Sequence, residues 1–461
     1  MNPGVAAGHP ATADAGWEIL EAGGSAADAA VAACLASCVA ETVMTGLLGG
    51  GHAIYWDAAA GVARNLDFFT AVPGLGGPPG RPELVELQVP FGEELVHYSI
   101  GPASCAVPGV PAGIDALWRA HGRLPWPRLV EPALRFARDG VALPPAHAAC
   151  LEMLAPVMTL DAGRRIYSPA GRLLRAGDTL AQPGLVKALE LVADEGARSL
   201  YDGTLRELLL ALLAERGGVV TPADLDAYEP RWAEPVVVEH AGRRVLTRAG
   251  LSGVPEVVAR LPALADHDAT ARVLALEAAL TADDGAGHTT NLVTVDDRGN
   301  ACVLTTSLGL GSGDFVPGLD LHLNSMLGET DLVRGELQPG SRVHSMMAPT
   351  LALDADDRLE LAIGAAGGTR LRTALVLVGV AVLDEGVPPQ EAVDRPRFHP
   401  TPDVVNAEPG VDERALEELE SRGRVVRRWA DRHHYFGGVS AIGRNGAAAD
   451  PRRSGAVRTA A

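Results

Sequence analysis

The stretch from Ala26 to Ala40 is built mostly of Ala, Val and Cys, and Ser25 stands before it as a helix cap. A helix of small residues on every side packs closely inside a core and belongs nowhere else. It follows a first helix, expected over Ala11–Ala22, which carries Trp17, Ile19 and Leu20 and ends at Gly23-Gly24. Burying such a helix needs apolar mass. The chain has it: 461 residues, 47 % hydrophobic against 21 % charged. Disorder as the main state is excluded, and a sizeable core is within reach.

Charge narrows the partners. The formal net charge is −19, from 39 basic and 58 acidic residues. Phosphate binding needs clustered cations, so nucleic acid and anionic membrane are excluded as main partners. The longest apolar run, Ala374–Leu383, is too short to span a bilayer. Met1-Asn2-Pro3-Gly4 lacks a basic segment and an apolar one behind it, so a cytoplasmic protein is expected. The five cysteines (Cys34, Cys38, Cys105, Cys150, Cys302) are scattered and odd in number, which fits a reducing compartment.

Further along, Gly46–Gly51 is a glycine-rich turn into a strand at His52–Trp56, with a return strand at Val62–Phe68. Thr70 to Pro102 is rich in Pro and Gly and reads as a surface excursion. Helical patterns fill Val110–Arg216, broken at Pro125, Pro144 and Gly177. The second half turns to strands: a pair around Asp296–Asn300, and a hairpin over Thr350–Ile363 turning at Asp354–Asp357. Gly364-Ala365-Ala366-Gly367-Gly368 then leads into an apolar helix, Arg370–Leu383. From Gly446 on, the chain reads as loosely held.

Common cofactor motifs fail. Gly309-Leu310-Gly311-Ser312-Gly313 follows a strand, but no helix opens after it, which rules against a dinucleotide site. No phosphate-loop, zinc-protease or calcium-loop pattern occurs, and His433-His434 lacks metal-ligand spacing, so no cofactor or metal is expected. Two features remain. Gly367-Gly368 sits where a strand meets a helix, and unpaired backbone N–H groups there are able to hold an oxyanion. Thr289-Thr290 starts an alternating strand. Taken alone, the first is also a plain tight turn and the second ordinary strand composition.

Taken together, the segments resemble the γ-glutamyltransferase family of N-terminal-nucleophile hydrolases. The resemblance rests on Gly23–Ala33, Thr45–Gly51 and Val107-Pro108-Gly109 in the first half. In the second it rests on Gly287-His288-Thr289-Thr290, Asp296–Asn300, Met347-Ala348-Pro349-Thr350, Gly364–Gly368 and Pro396-Arg397-Phe398-His399. It implies an α+β fold, a four-layer αββα sandwich, self-cleaved between His288 and Thr289. The products are segments 1–288 and 289–461, intertwined as a heterodimer of the chain's own fragments. It implies Thr289 as nucleophile, Gly367 and Gly368 as oxyanion donors, and Ser307 as the hydroxyl that supports the nucleophile. The partners are then a small-molecule acyl donor and a water or amine acceptor, with γ-glutamyl donors such as glutathione as the default.

The chain departs from the family pattern in the donor pocket. Enzymes acting on γ-glutamyl groups carry Arg in an Asp-Phe-Arg segment; here it reads Asp67-Phe68-Phe69. A phenyl ring does not replace a bidentate guanidinium, and Arg64 nearby is the one substitute in sequence. Ser345 keeps one member of a serine pair and Met346 replaces the other. Glu329 fits either a carboxylate that holds a substrate amine or a solvated loop carboxylate. The segment Met326–Ser345 is short, which leaves little room for a lid and favours hydrolysis over transfer, and Leu251–His288 is short of helical material, which opens the site or weakens the fold. Two other readings stay open. One is a specialised relative in secondary metabolism that cleaves a non-glutamyl acyl or C–C bond; the other is an unprocessed, non-catalytic relative.

Overall fold

The structure, a computed structural model, describes residues 1–77, 83–91, 94–281, 289–368 and 370–460. Two sheets organise it. Their strands, in chain order, are β1 (Gly4–Ala7), β2 (Gly50–Asp57), β3 (Val62–Phe68), β4 (Arg231–Ala233), β5 (Val236–His240), β6 (Arg243–Thr247), β7 (Thr290–Val295), β8 (Ala301–Ser307), β9 (Thr350–Leu353), β10 (Leu359–Ala366), β11 (Gly438–Gly443), β12 (Gly446–Ala449) and β13 (Ala456–Thr459). The seven-stranded sheet runs β13-β1-β7-β8-β2-β3-β4, and the six-stranded sheet runs β12-β11-β10-β9-β6-β5.

Alternation along each strand assigns the layers. On β7, Val293 and Val295 point inward, where with Ala6, Ile54 and Val303 they meet Leu351, Leu353, Ala362 and Ile442 of the second sheet. Leu292 points outward and packs with α2 (Ala26–Ala40), which follows α1 (Pro10–Glu21) and whose residues are buried throughout. On the far side, α3 (Arg370–Glu385) covers Ile363, Ala365, Val439 and Ala441. The order is helix, sheet, sheet, helix, as expected.

Local chemistry sets these elements. Ser25 accepts from Asp28 N at 3.0 Å, while the Asp28 carboxylate accepts from Ser25 N at 2.9 Å, a closed capping box for α2. Asp296 governs the β7–β8 turn: Oδ1 accepts from Arg298 N and Asn300 N at 2.9 and 3.0 Å. Its Oδ2 takes Ala26 N at 3.2 Å and Arg123 Nη2 at 2.9 Å, tying the turn to the start of α2. The Asp296–Asn300 motif is therefore structural. It fixes the register that pairs Thr290 with Thr306, so Thr289 stands across from Ser307.

Two expectations are corrected. The Thr70–Pro102 excursion contains an antiparallel hairpin, Val85–Phe91 with Glu94–Ile100, whose Val89 and Tyr98 are buried. The chain after Gly446 is not loosely held: β12 and β13 join the two sheets, and Asp450, Arg452 and Arg453 between them are buried. Those polar residues face interior partners, so their polarity in the sequence misdirected the reading. The short Leu251–His288 segment supplies helices Val254–Arg260 and Ala269–Leu280. Among the described residues no helix is long and apolar enough to cross a membrane.

Candidate active site

Thr289 immediately precedes β7, beside the β10–α3 junction, and it is buried. Gly367 follows β10 directly, with φ of +132°, a backbone state that side chains rarely adopt. A Cβ there would lie 2.9 Å from Gly437 Cα, so only glycine fits. This geometry aims the Gly367 N–H at the Thr289 Oγ1, 2.9 Å away.

One small pocket collects residues singled out by sequence: Thr289, Ser307, Gly368, Phe69, Glu329, Ser345 and Met346 all line it. The remaining walls are Met326, Leu332, Met347 and Leu371. Ser307 Oγ accepts from Gly309 N at 3.0 Å. His288 lies outside the described residues.

The walls of this pocket are largely apolar, with one acid. Glu329 is 2 % exposed, so it is no solvated loop carboxylate. Its Oε1 has no hydrogen-bond partner among the described residues. Burial, with Asp331 adding to it, pushes its carboxyl up to about 8. Phe69 fills the place expected of an arginine and stacks on His52, centroids 5.5 Å apart. The loop is held by its backbone, since Phe69 N donates to Asp67 Oδ1 at 2.9 Å and Tyr228 OH donates to Phe69 O at 2.7 Å. Among the described residues no arginine lines the pocket in its place. Arg64 pairs with Glu234 at 3.2 Å and is half-exposed. Arg248 donates to the Ser345 and Met347 carbonyls, and Arg342 pairs with Asp67 at 3.3 Å; neither lines the pocket.

A second, small cavity, with room for about one water molecule, touches Thr289 from another side and is lined by Glu41, His147 and Arg453 among others. Sequence reading missed these three. A lone acid at Glu41, inside the otherwise apolar and glycine-rich run from Val39 to Gly51, was the available signal. No group of three or more metal-ligating side chains occurs among the described residues.

Burial of these ionisable groups makes stability depend on pH. It lowers His9 to about 4, and His52, His147 and His322 to about 3, from 6.5. It raises Glu41 to about 7 and Glu329 to about 8. The unfolded chain binds protons at those histidines below pH 6.5 before the folded one does, so acid removes stability. The two glutamates act oppositely: their protonated forms favour folding, and stability falls as pH rises from about 4.5 to 8. Below about 4.5 only the histidines still pull. The melting temperature should therefore drop more between pH 6.5 and 4 than between 6.5 and 9. A melting temperature at pH 4 equal to that at 6.5 contradicts this account.

Comparison with known proteins agrees with the geometry. The family model described as Gamma-glutamyltranspeptidase matches residues 12–275 and 255–460. Glutathione hydrolase proenzyme 2 of Schizosaccharomyces pombe is 25 % identical, over 98 % of this chain and 86 % of its own. The Acylase ACY 1 proenzyme of Pseudomonas sp. strain SE83 is 28 % identical, over 96 % and 89 %. The cephalosporin acylase from Bacillus halodurans superposes with a TM-score of 0.84 at 23 % identity, covering 100 % of this chain and 96 % of that one, and so shares the fold. With that model matched over nearly its whole length, the chain belongs to the gamma-glutamyltranspeptidase family, self-processing enzymes that hydrolyse or transfer acyl groups.

Proposed function

We propose that the chain cuts itself between His288 and Thr289, and that the freed Thr289 hydrolyses an amide whose acyl part is apolar and carries an amine. The observation that supports this most is the Gly367 N–H lying 2.9 Å from Thr289 Oγ1 at the mouth of an apolar pocket with one buried acid. Segments 1–288 and 289–461 are then the two subunits of one body.

Cleavage changes what Thr289 is able to do. An α-amine of pKa about 7.7–8.0 takes up a proton near neutrality; an amide nitrogen does not. The amine accepts the Oγ proton as Oγ attacks the donor carbonyl. The Gly367 and Gly368 N–H groups meet the oxyanion, each such donor worth about 3 kcal/mol. The leaving amine departs with the proton, and an ester on Thr289 remains. Water, activated by the same α-amine, opens the ester. Ser307, on the same wall, supports the hydroxyl.

Donor choice follows from the pocket. Glu329 holds the donor ammonium, which restores ionisation to a carboxyl that burial disfavours. Phe69 supplies contact area in place of a carboxylate clamp, so a glutamyl α-carboxylate meets no cation among the described residues that line the pocket. We expect γ-glutamyl anilide to be turned over at least about 100-fold less well, in kcat/KM, than an anilide of an apolar amino acid. Intact-mass measurement of the purified protein, with and without a panel of such donors, reports processing and trapped acyl groups together. Fast glutamyl release with a low KM would show that Phe69 does not exclude the carboxylate.

A further inference from the structure

The second cavity beside Thr289 has a matched set of donors and acceptors. Glu41 lies 1 % exposed at its edge and accepts from Thr12 Oγ1 at 2.6 Å and Thr290 Oγ1 at 2.5 Å. Arg453, 4 % exposed, has Nε and Nη2 without hydrogen-bond partners among the described residues. Its Nη1 meets only the Met44 sulfur, at 3.4 Å. His147 Nε2 faces the Gly8 and Arg453 carbonyls, each at 3.2 Å, which places the proton on Nε2. Its Nδ1 is then a buried lone pair, again without a partner among the described residues.

A buried guanidinium with two open donors, next to a carboxylate and an imidazole lone pair, suits a water molecule that accepts from the first and donates to the others. The cavity reaches Thr289 itself. The uncut chain needs something there that the mature enzyme does not. Before cleavage Thr289 has no α-amine, and its hydroxyl needs another proton acceptor.

We propose that Glu41, acting through a water held by Arg453 in this cavity, is the proton acceptor of self-cleavage. This rests on the reading that the chain cuts itself before Thr289. Glu41 takes the Thr289 Oγ proton by way of the water, and Oγ adds to the His288 carbonyl carbon. The C–N bond breaks, the proton passes to the Thr289 nitrogen, and an ester joins His288 to Oγ. Water then attacks the ester and gives Glu41 a proton, which returns to Oγ as it leaves. The products are a His288 carboxylate and a Thr289 amine, one water having been consumed.

Several groups bear on Glu41 besides its two threonines. Arg453 favours its ionised form, burial opposes it, Cys38 lies on its own helix side, and His147, His9 and Asp450 bound the same region. Burial sets Glu41 at about 7, so the proton acceptor becomes available across neutrality.

The test follows precursor to fragments on a denaturing gel, for newly refolded chains from pH 5.5 to 9. The wild-type rate should rise through about pH 7. Glu41→Gln should cleave at least about 100-fold more slowly with a flat profile, and Glu41→Asp should recover part of the rate and its slope. A merely structural role for Glu41 would lower the rate in Glu41→Gln but keep the slope, and that result overturns the proposal. So does a Glu41→Gln chain that matures at the wild-type rate. Should Glu41→Gln fail to fold, Arg453→Met serves instead, with a slower rate and a midpoint moved upward expected, and an unchanged midpoint counting against the proposal. A wild-type chain that never cleaves condemns the self-cleavage reading itself and is told apart by that alone.

Discussion

Thr289→Ala is expected to yield one uncut chain of 461 residues and to lower turnover of any acyl donor by on the order of 10⁴- to 10⁶-fold. The substitution removes a methyl group and a hydroxyl that accepts from the Gly367 N–H, so folding should be spared. Losing that one bond costs about 1 kcal/mol of stability, far less than the loss in rate. Thr289→Ser keeps the oxygen and should still cleave, more slowly, since serine lacks the methyl that restricts χ1. Intact mass distinguishes the outcomes: one species for the alanine variant, two for the serine variant, the smaller beginning at residue 289. An alanine variant that separates into two fragments would remove Thr289 from the chemistry.

The second large effect lies behind the site. Arg397 is buried and donates to Asp450 Oδ2 at 2.5 Å and to the Phe436 and Gly437 carbonyls at 3.2 and 3.1 Å. Asp450 also accepts from Val439 N at 3.1 Å and faces Arg452, which in turn pairs with Glu408. Gly437 is the residue against which Gly367 is packed. Arg397→Met leaves Asp450 short of a partner and frees the Gly437 carbonyl. Breaking a buried pair in this way costs about 3–5 kcal/mol. Chemical denaturation should show that loss, together with a fall in kcat as the Gly367 N–H loses its backing. Because Asp450 also serves backbone groups, a double Arg397→Met, Asp450→Leu variant should recover only part of the stability. A single variant within 1 kcal/mol of wild type would show the network to be dispensable.

Much of this was legible where a local rule and a long-range demand coincide. The Ala26–Ala40 helix and the Val62–Phe68 strand have the bounds their residues predict. The Asp296–Asn300 turn is readable because one carboxylate satisfies its own loop. That Phe69 shares a pocket with Glu329, Ser345 and Met346 was legible only through resemblance, since Phe69 stands far from the other three in sequence and meets them only in the folded chain. The C-terminal strands were not. Gly446–Ala449 and Ala456–Thr459 are short and carry little alternation; the first pairs with its hairpin neighbour Gly438–Gly443, and the second is held by Gly4–Ala7 at the other end of the chain. Glu41, His147 and Arg453 escaped for the same reason, since nothing in the spacing of three such distant residues says that they share a cavity.

The strand order has a consequence for the lifetime of the assembly. β1 lies between β13 and β7, and β8 lies beside β2, so neighbours on both sides come from opposite ends of the chain. Nicking the backbone before residue 289 therefore leaves no seam along which halves could part. Dilution should not inactivate the enzyme, and two preparations mixed after maturation should not trade fragments on any timescale shorter than global unfolding. Each molecule keeps for life the partner it was born with.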